Sequence, residues 1–153
     1  MSRTLLCAVV VGVVTGFAAS GGAQAPVTPA GQAAVEAAFK KTYPNATMKS
    51  VKKETLDGRA VYEVESVDNG RDRNVIYNPD GSVVTIEDVM TEAEFPAAVT
   101  AAIVKRYPKA TITVREKLTI TQGAVVHYEA ELTGAGAVKE VVLTVDGQWV
   151  SPK

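Results

Sequence analysis

A stretch of sequence that occurs twice constrains this chain more than any other feature. Val35-Glu36-Ala37-Ala38-Phe39-Lys40-Lys41-Thr42-Tyr43-Pro44-Asn45-Ala46-Thr47 aligns with Val99-Thr100-Ala101-Ala102-Ile103-Val104-Lys105-Arg106-Tyr107-Pro108-Lys109-Ala110-Thr111 at an offset of 64 residues. Tyr62-Glu63-Val64-Glu65 aligns with Tyr128-Glu129-Ala130-Glu131 at an offset of 66, and residues 75–81 align with 141–147 at the same offset. Three blocks in one order read as a duplicated unit, with two extra residues in the first hairpin of the second copy. Residues 26–90 then form the first repeat and 91–153 the second. A unit of this size buries too small a fraction of its surface to be secure alone. The two copies are therefore expected to share an interface or one continuous sheet.

Each copy opens with a helical pattern. Val35, Ala38, Phe39 and Thr42 recur at helical spacing, as do Val99, Ala102, Ile103 and Arg106. Pro96 suits a helix start, and Tyr-Pro ends both helices, because the residue before proline is pushed out of the helical region. Strands are expected at 47–55, 60–66, 73–77 and 82–88, then at 111–120, 125–132, 137–145 and 148–151. Asp57-Gly58, Asn69-Gly70, Asp80-Gly81, Gln122-Gly123, residues 134–136 and Asp146-Gly147 supply the turns between them. Such tight connections make neighbouring strands antiparallel. The fold class is α+β: two tandem repeats, each one helix packed on an antiparallel meander of three to four strands.

Alternation divides the sheet faces. Tyr62, Val64, Val75 and Tyr77, with Tyr128, Ala130, Leu132, Val141, Leu143 and Val145, are expected to face the helices. Glu63, Glu65, His127, Glu129 and Glu131 take the opposite parity, the pattern of a sheet with one packed and one solvated face.

The first 25 residues have a different character. Arg3 precedes an apolar run over residues 5–14, small residues follow, and Ala23-Gln24-Ala25 fits the pattern cut by signal peptidase. The run is too short to span a bilayer. The expectation is a signal peptide over 1–25, a mature chain starting at Pro26, and a periplasmic or secreted protein with no stable membrane anchor. Cys7 is the only cysteine and opens the apolar run rather than closing it, so neither lipidation nor a disulfide in the mature chain is expected. A net charge of -1 offers no footprint for nucleic acid.

A helix, then Tyr-Pro-x-Ala, then a meander with Tyr-Glu-Val-Glu and Asp-Gly turns resembles the PepSY-like family, which includes tandem modules related to the secreted β-lactamase inhibitor protein. The resemblance covers nearly all of residues 30–153. Its carriers are Phe39, Tyr43, Pro44, Ala46, Tyr62, Glu63, Val64, Glu65, Asp80 and Gly81, with Val99, Tyr107, Pro108, Ala110, Tyr128, Glu129, Asp146 and Gly147 in the second copy. Residues 95–99 resemble the helix opening usual in these modules. The resemblance implies an exported protein with no shared catalytic residues, and a related inhibitor that grips an enzyme with its open sheet face and loops. That inhibitor carries disulfides and this mature chain has no cysteine, so the resemblance does not imply the same target.

Catalytic chemistry finds little support. His127 is the only histidine, and no Gly-x-Ser-x-Gly elbow surrounds a serine. His127 with Glu129 and Glu131 falls short of the three or four converging ligands usual in metal sites unless all three converge. No phosphate-binding glycine loop precedes a helix. Asp68, Gly70 and Asp72 fail as a calcium loop, because its sixth and twelfth positions would be Arg73 and Pro79. The pairs Glu63/Glu65 and Glu129/Glu131 each point one way along a strand, and Lys49, Lys53, Arg115 and Lys117 are candidate cross-strand cations. Trp149 aligns with Val83 of the first copy and either anchors a partner or covers the open end of the core. The expected function is a non-catalytic binding module of the inhibitor-like type, without cofactor. Its partner is an exported or envelope protein, met by Glu63, Glu65, Arg115, His127, Glu129, Glu131 and Trp149. The alternative is an envelope protein that binds a small ligand or metal ion.

Overall fold

The computed structural model describes residues 29–151. The expected leader and its cleavage site ahead of Pro26 lie outside these residues. Helix α1 (Pro29–Thr42) precedes strands β1 (Thr47–Leu56), β2 (Arg59–Asp68), β3 (Arg71–Tyr77) and β4 (Val83–Val89). Helix α2 (Ala97–Arg106) then precedes β5 (Thr111–Ile120), β6 (Val125–Thr133), β7 (Glu140–Leu143) and β8 (Trp149–Ser151). All eight strands form one antiparallel sheet in chain order. β4 pairs with β5, from Thr85↔Ile120 to Val89↔Glu116, so the sheet is continuous across the middle of the chain.

Both helices lie on one face, because cross-strand partners point the same way. Val35 and Phe39 of α1 pack on Tyr62, Val64, Val75 and Tyr77. Phe95, with Val99 and Ile103 of α2, packs on Ala130, Leu132, Val141 and Leu143. Each helix thus sits over its own apolar cluster. Thr42 and Arg106, expected on the packed stripes, are exposed at the helix ends. Each helix closes by the same pair of backbone bonds: Tyr43 N–H donates to Phe39 O and Ala46 N–H to Tyr43 O, as Tyr107 does to Ile103 and Ala110 to Tyr107. Pro96 sits just before α2 in an extended conformation rather than within its first turn.

Turn chemistry explains the register. Asp57-Gly58 and Asn69-Gly70 both hold positive φ at two successive residues, which fits the twist of a two-residue hairpin. The β5–β6 link, residues 121–124, has two residues more than the β1–β2 link. Gly81 and Gly147 serve a second purpose. A Cβ on Gly81 would lie 3.2 Å from Ala34 O, and one on Gly147 would lie 2.8 Å from Ala98 O. These turns therefore pack directly against the helices above them.

Two expectations about the second half are corrected. The strand read at 137–145 is only Glu140–Leu143, because Gly134 and Gly136 adopt positive φ and keep the chain in a loop. Val145, expected in the inner layer, is 59% exposed within the Asp146-Gly147 turn. Register shifts at Met48/Ser50 and Ile112/Val114 also change the parity of β1 and β5 near their starts.

Candidate functional site

The sheet face away from the helices carries the expected acidic residues, and the strand parity is as expected. Their surroundings are not. Glu63 and Glu129 are each only 1% exposed, so they do not belong to a solvated charged surface. Glu87 of β4 and Glu116 of β5 are as deeply buried and share their face. Pairing places Glu116 opposite Glu129, and Leu118, itself fully buried, lies between Glu87 on β4 and His127 on β6. Four carboxyls thus run across β2, β4, β5 and β6. Leu56, Val61 and Ile76 form an apolar cluster at the β1–β3 end of this face.

The electrostatics follow from burial and like charge. Burial, then the Glu87 carboxyl, pushes Glu63 up to about 7. Burial, then Glu87 and Glu131, pushes Glu116 up to about 8. Burial, then Glu140, Glu87 and Glu116, pushes Glu129 up to about 10. Glu116 and Glu129 are therefore mainly carboxylic acids near neutral pH, while Glu63 is divided between acid and carboxylate. Glu65 differs. Burial would raise it, but hydrogen bonds from Lys52 and Ser50 outweigh that and hold it below its ordinary value. Burial lowers His127.

The other expected site residues separate by face. Glu65, His127 and Glu131 remain partly exposed on the acidic face. Arg115 lies on the helix side, opposite Ala130, with its guanidinium 3.9 Å from Glu92. Trp149 also lies on the helix side, edge-on to Tyr107 at 5.9 Å and under the Arg106 guanidinium at 4.5 Å, where it closes the end of the second core. The expected cations do not meet the glutamates. Lys49 pairs with Asp72 and Lys117 with Asp88, while Lys53 lies opposite Tyr62 on the helix side. Residues of opposite parity in a strand project to opposite faces, so Lys53, Arg115 and Lys117 cannot reach the acidic row. Lys52 is the lysine that bonds Glu65. Sequence reading missed Glu87 and Glu116, although their parity relative to Ile86 and Leu118 was available as a signal.

The helix side also holds a cleft of about 390 Å³ over β3, β4 and β5, lined by Asp68, Arg71, Arg73, Asp88, Glu94 and Lys117 among others. Arg73, Asp88 and Lys117 are register partners across three strands. Arg73 bonds both Asp68 and Asp88, and Arg71 pairs with Glu94 at 2.8 Å. Among the described residues, no group of three or more His, Cys, Asp and Glu side chains is placed to hold a metal ion.

The fold is similar to those of several solved structures, among them a BLIP-like protein and DUF2874 family proteins. The chain is similar to the crystal structure of a BLIP-like protein from Bacteroides fragilis, at 19% identity and a TM-score of 0.55, covering 82% of this chain and 84% of that one. It is similar to a DUF2874 family protein from Bacteroides uniformis, at 22% identity and a TM-score of 0.59, covering 81% and 87%. A third structure, from Bacteroides eggerthii and described with a proposed periplasmic location, has 21% identity and a TM-score of 0.61, covering 76% and 84%. No family model matches the sequence. No curated protein matches it significantly. Among the described residues no helix is long and apolar enough to cross a membrane.

Proposed function

We propose that this chain is an exported, non-catalytic binding module that grips a protein partner with the sheet face its helices leave free. One observation carries the reading: both helices pack on the same side of all eight strands, and the other side combines apolar residues with acidic ones. The accessible part of that face includes Val125, 40% exposed, with His127 and Glu131 two and six residues further along β6. Likeness to a BLIP-like protein and to a structure with a proposed periplasmic location supports both the mode and the compartment. The PepSY-like ancestry and the duplication belong to the same proposal. Matched turns at Gly81 and Gly147, matched helix ends and matched bulges favour two copies of one unit fused through β4 and β5.

Pull-down from a periplasmic fraction tests the proposal, comparing the unsubstituted protein with Val125→Asp, His127→Ala and Glu131→Lys. Placing unfavourable charge in an interface lowers affinity by about tenfold or more, equivalent to about 1.4 kcal/mol. Equal capture by all four proteins would remove the face from the account. The helix-side cleft supports a second reading, a small charged ligand held among its ion pairs. Displacement of Arg73 and Lys117 NMR signals by a zwitterionic small molecule, with no partner captured, would favour it.

A further inference from the structure

Glu63, Glu87, Glu116 and Glu129 are each 2% exposed or less, on one face of β2, β4, β5 and β6. Glu116 and Glu129 are direct register partners, a placement that brings side chains to about 5 Å and disfavours like charges. Glu63 Oε1 and Glu116 Oε2 are buried without a hydrogen-bond partner. From Val61 on β2 to Val142 on β7, no position of this parity holds a lysine or arginine. Among the described residues, the charged and titratable groups that share the face are Lys49 (at the β1 bulge and paired with Asp72), Lys52 and Glu54 on β1, Arg59 and Glu65 on β2 and Asp72 on β3. His127 and Glu131 on β6 and Glu140 on β7 complete that set. Lys52 is bonded to Glu65 and is also the register partner of Glu63, whose proton affinity it lowers, but burial and the Glu87 carboxyl outweigh it.

Buried carboxyls so arranged can stay in place only while they hold their protons. Ionising one strands a charge in a low-dielectric setting, and ionising two partners adds repulsion. Water must then reach them, which requires the strands that carry them to open.

We propose that this carboxyl row is a proton-operated conformational device: protonated, it keeps the centre of the face closed, and on losing protons it opens β4, β5 and β6 to water. The linkage sign follows from groups that bind protons more tightly folded than open. The closed state is most favoured below the ordinary carboxyl range and is lost as pH rises through the values of about 7, 8 and 10 at Glu63, Glu116 and Glu129. Between those limits the opening equilibrium rises by up to about tenfold per pH unit for each carboxyl that ionises on opening.

The test is an NMR titration of the full chain from pH 4 to pH 10. Glutamate carboxyl carbons are followed together with amide protection in β4, β5 and β6, corrected for intrinsic exchange. The device predicts that Glu63, Glu116 and Glu129 remain mostly protonated at pH 6 and that amide protection in these strands falls in step with their ionisation. Glu116→Gln/Glu129→Gln, which keeps the neutral shape, should move the opening to higher pH. Carboxyls that all titrate near 4.5, or that titrate high while amide protection stays constant, would overturn the proposal. The unsubstituted protein alone decides this should the double variant fail to fold. The titration gives its answer whether or not a partner binds the face.

Discussion

Individual residues carry more of this fold than their chemistry suggests. Gly147 has φ of 83° and no room for a Cβ, whereas Gly58 has φ of 74° and open space around it. Gly58→Ala should therefore cost about 1–2 kcal/mol, the conformational penalty alone. Gly147→Ala should cost more, because the turn must also move away from Ala98, and paired urea denaturation curves measure the difference. The buried glutamates make the complementary case. Glu129→Lys replaces a buried side chain with a longer charged one, whose desolvation only ionisation of its register partner Glu116 could offset, and should destabilise by about 1–3 kcal/mol. Glu131→Lys, partly exposed on the same strand and face, should cost less than about 1 kcal/mol. Alternation placed Glu63, Glu65, Glu129 and Glu131 on the correct face. It could not reveal their burial, because a charged side chain reads as a solvated one until the three-dimensional surroundings are known. The stability profile follows with a definite sign. Raised folded-state values at Glu63, Glu116 and Glu129 give stability that is complete below pH 4.5 for these groups and declines as pH rises through 7, 8 and 10. Melting temperatures recorded from pH 6 to pH 9 should fall, and a rise over that interval would contradict the burial of the row.

Helices and strands were legible because their patterns are local. Apolar spacing identified Val35, Phe39, Val99 and Ile103, and each is 1% exposed or less. Phe39→Ala and Ile103→Ala should each cost about 2–5 kcal/mol on denaturation, from lost burial and the cavity left behind. Val104, on the same helix but 52% exposed, should tolerate alanine within about 0.5 kcal/mol. Bulges were not legible. One extra residue near Lys49 and another near Thr113 reverse the parity of their strands, and nothing in the side chains announces it. The β7 boundary failed for a related reason: residues 137–145 have strand composition, but Gly134, Gly136 and the Asp146-Gly147 turn shorten the ladder from both ends. Cross-strand cations were misassigned because facing residues depend on register, which hairpin turns fix only to within such irregularities.

At the scale of the whole molecule, one sheet with both helices on one side leaves a single broad surface for recognition. Two helix-capped cores share the sheet, and the β4–β5 pairing joins them into one platform. Sequence could not say which parts of the free face are accessible, since that depends on how eight strands pack together. The accessible positions Val125, His127 and Glu131 lie along β6, whereas Val104 and Lys105 lie exposed on α2. Photo-crosslinking from these positions, one at a time, measures directly which face meets a partner. A photoreactive residue at 125, 127 or 131 is expected to yield a discrete adduct with an envelope protein, while one at 104 or 105 yields none. Adducts formed from α2 with none from β6 would contradict the account and move recognition to the helix side.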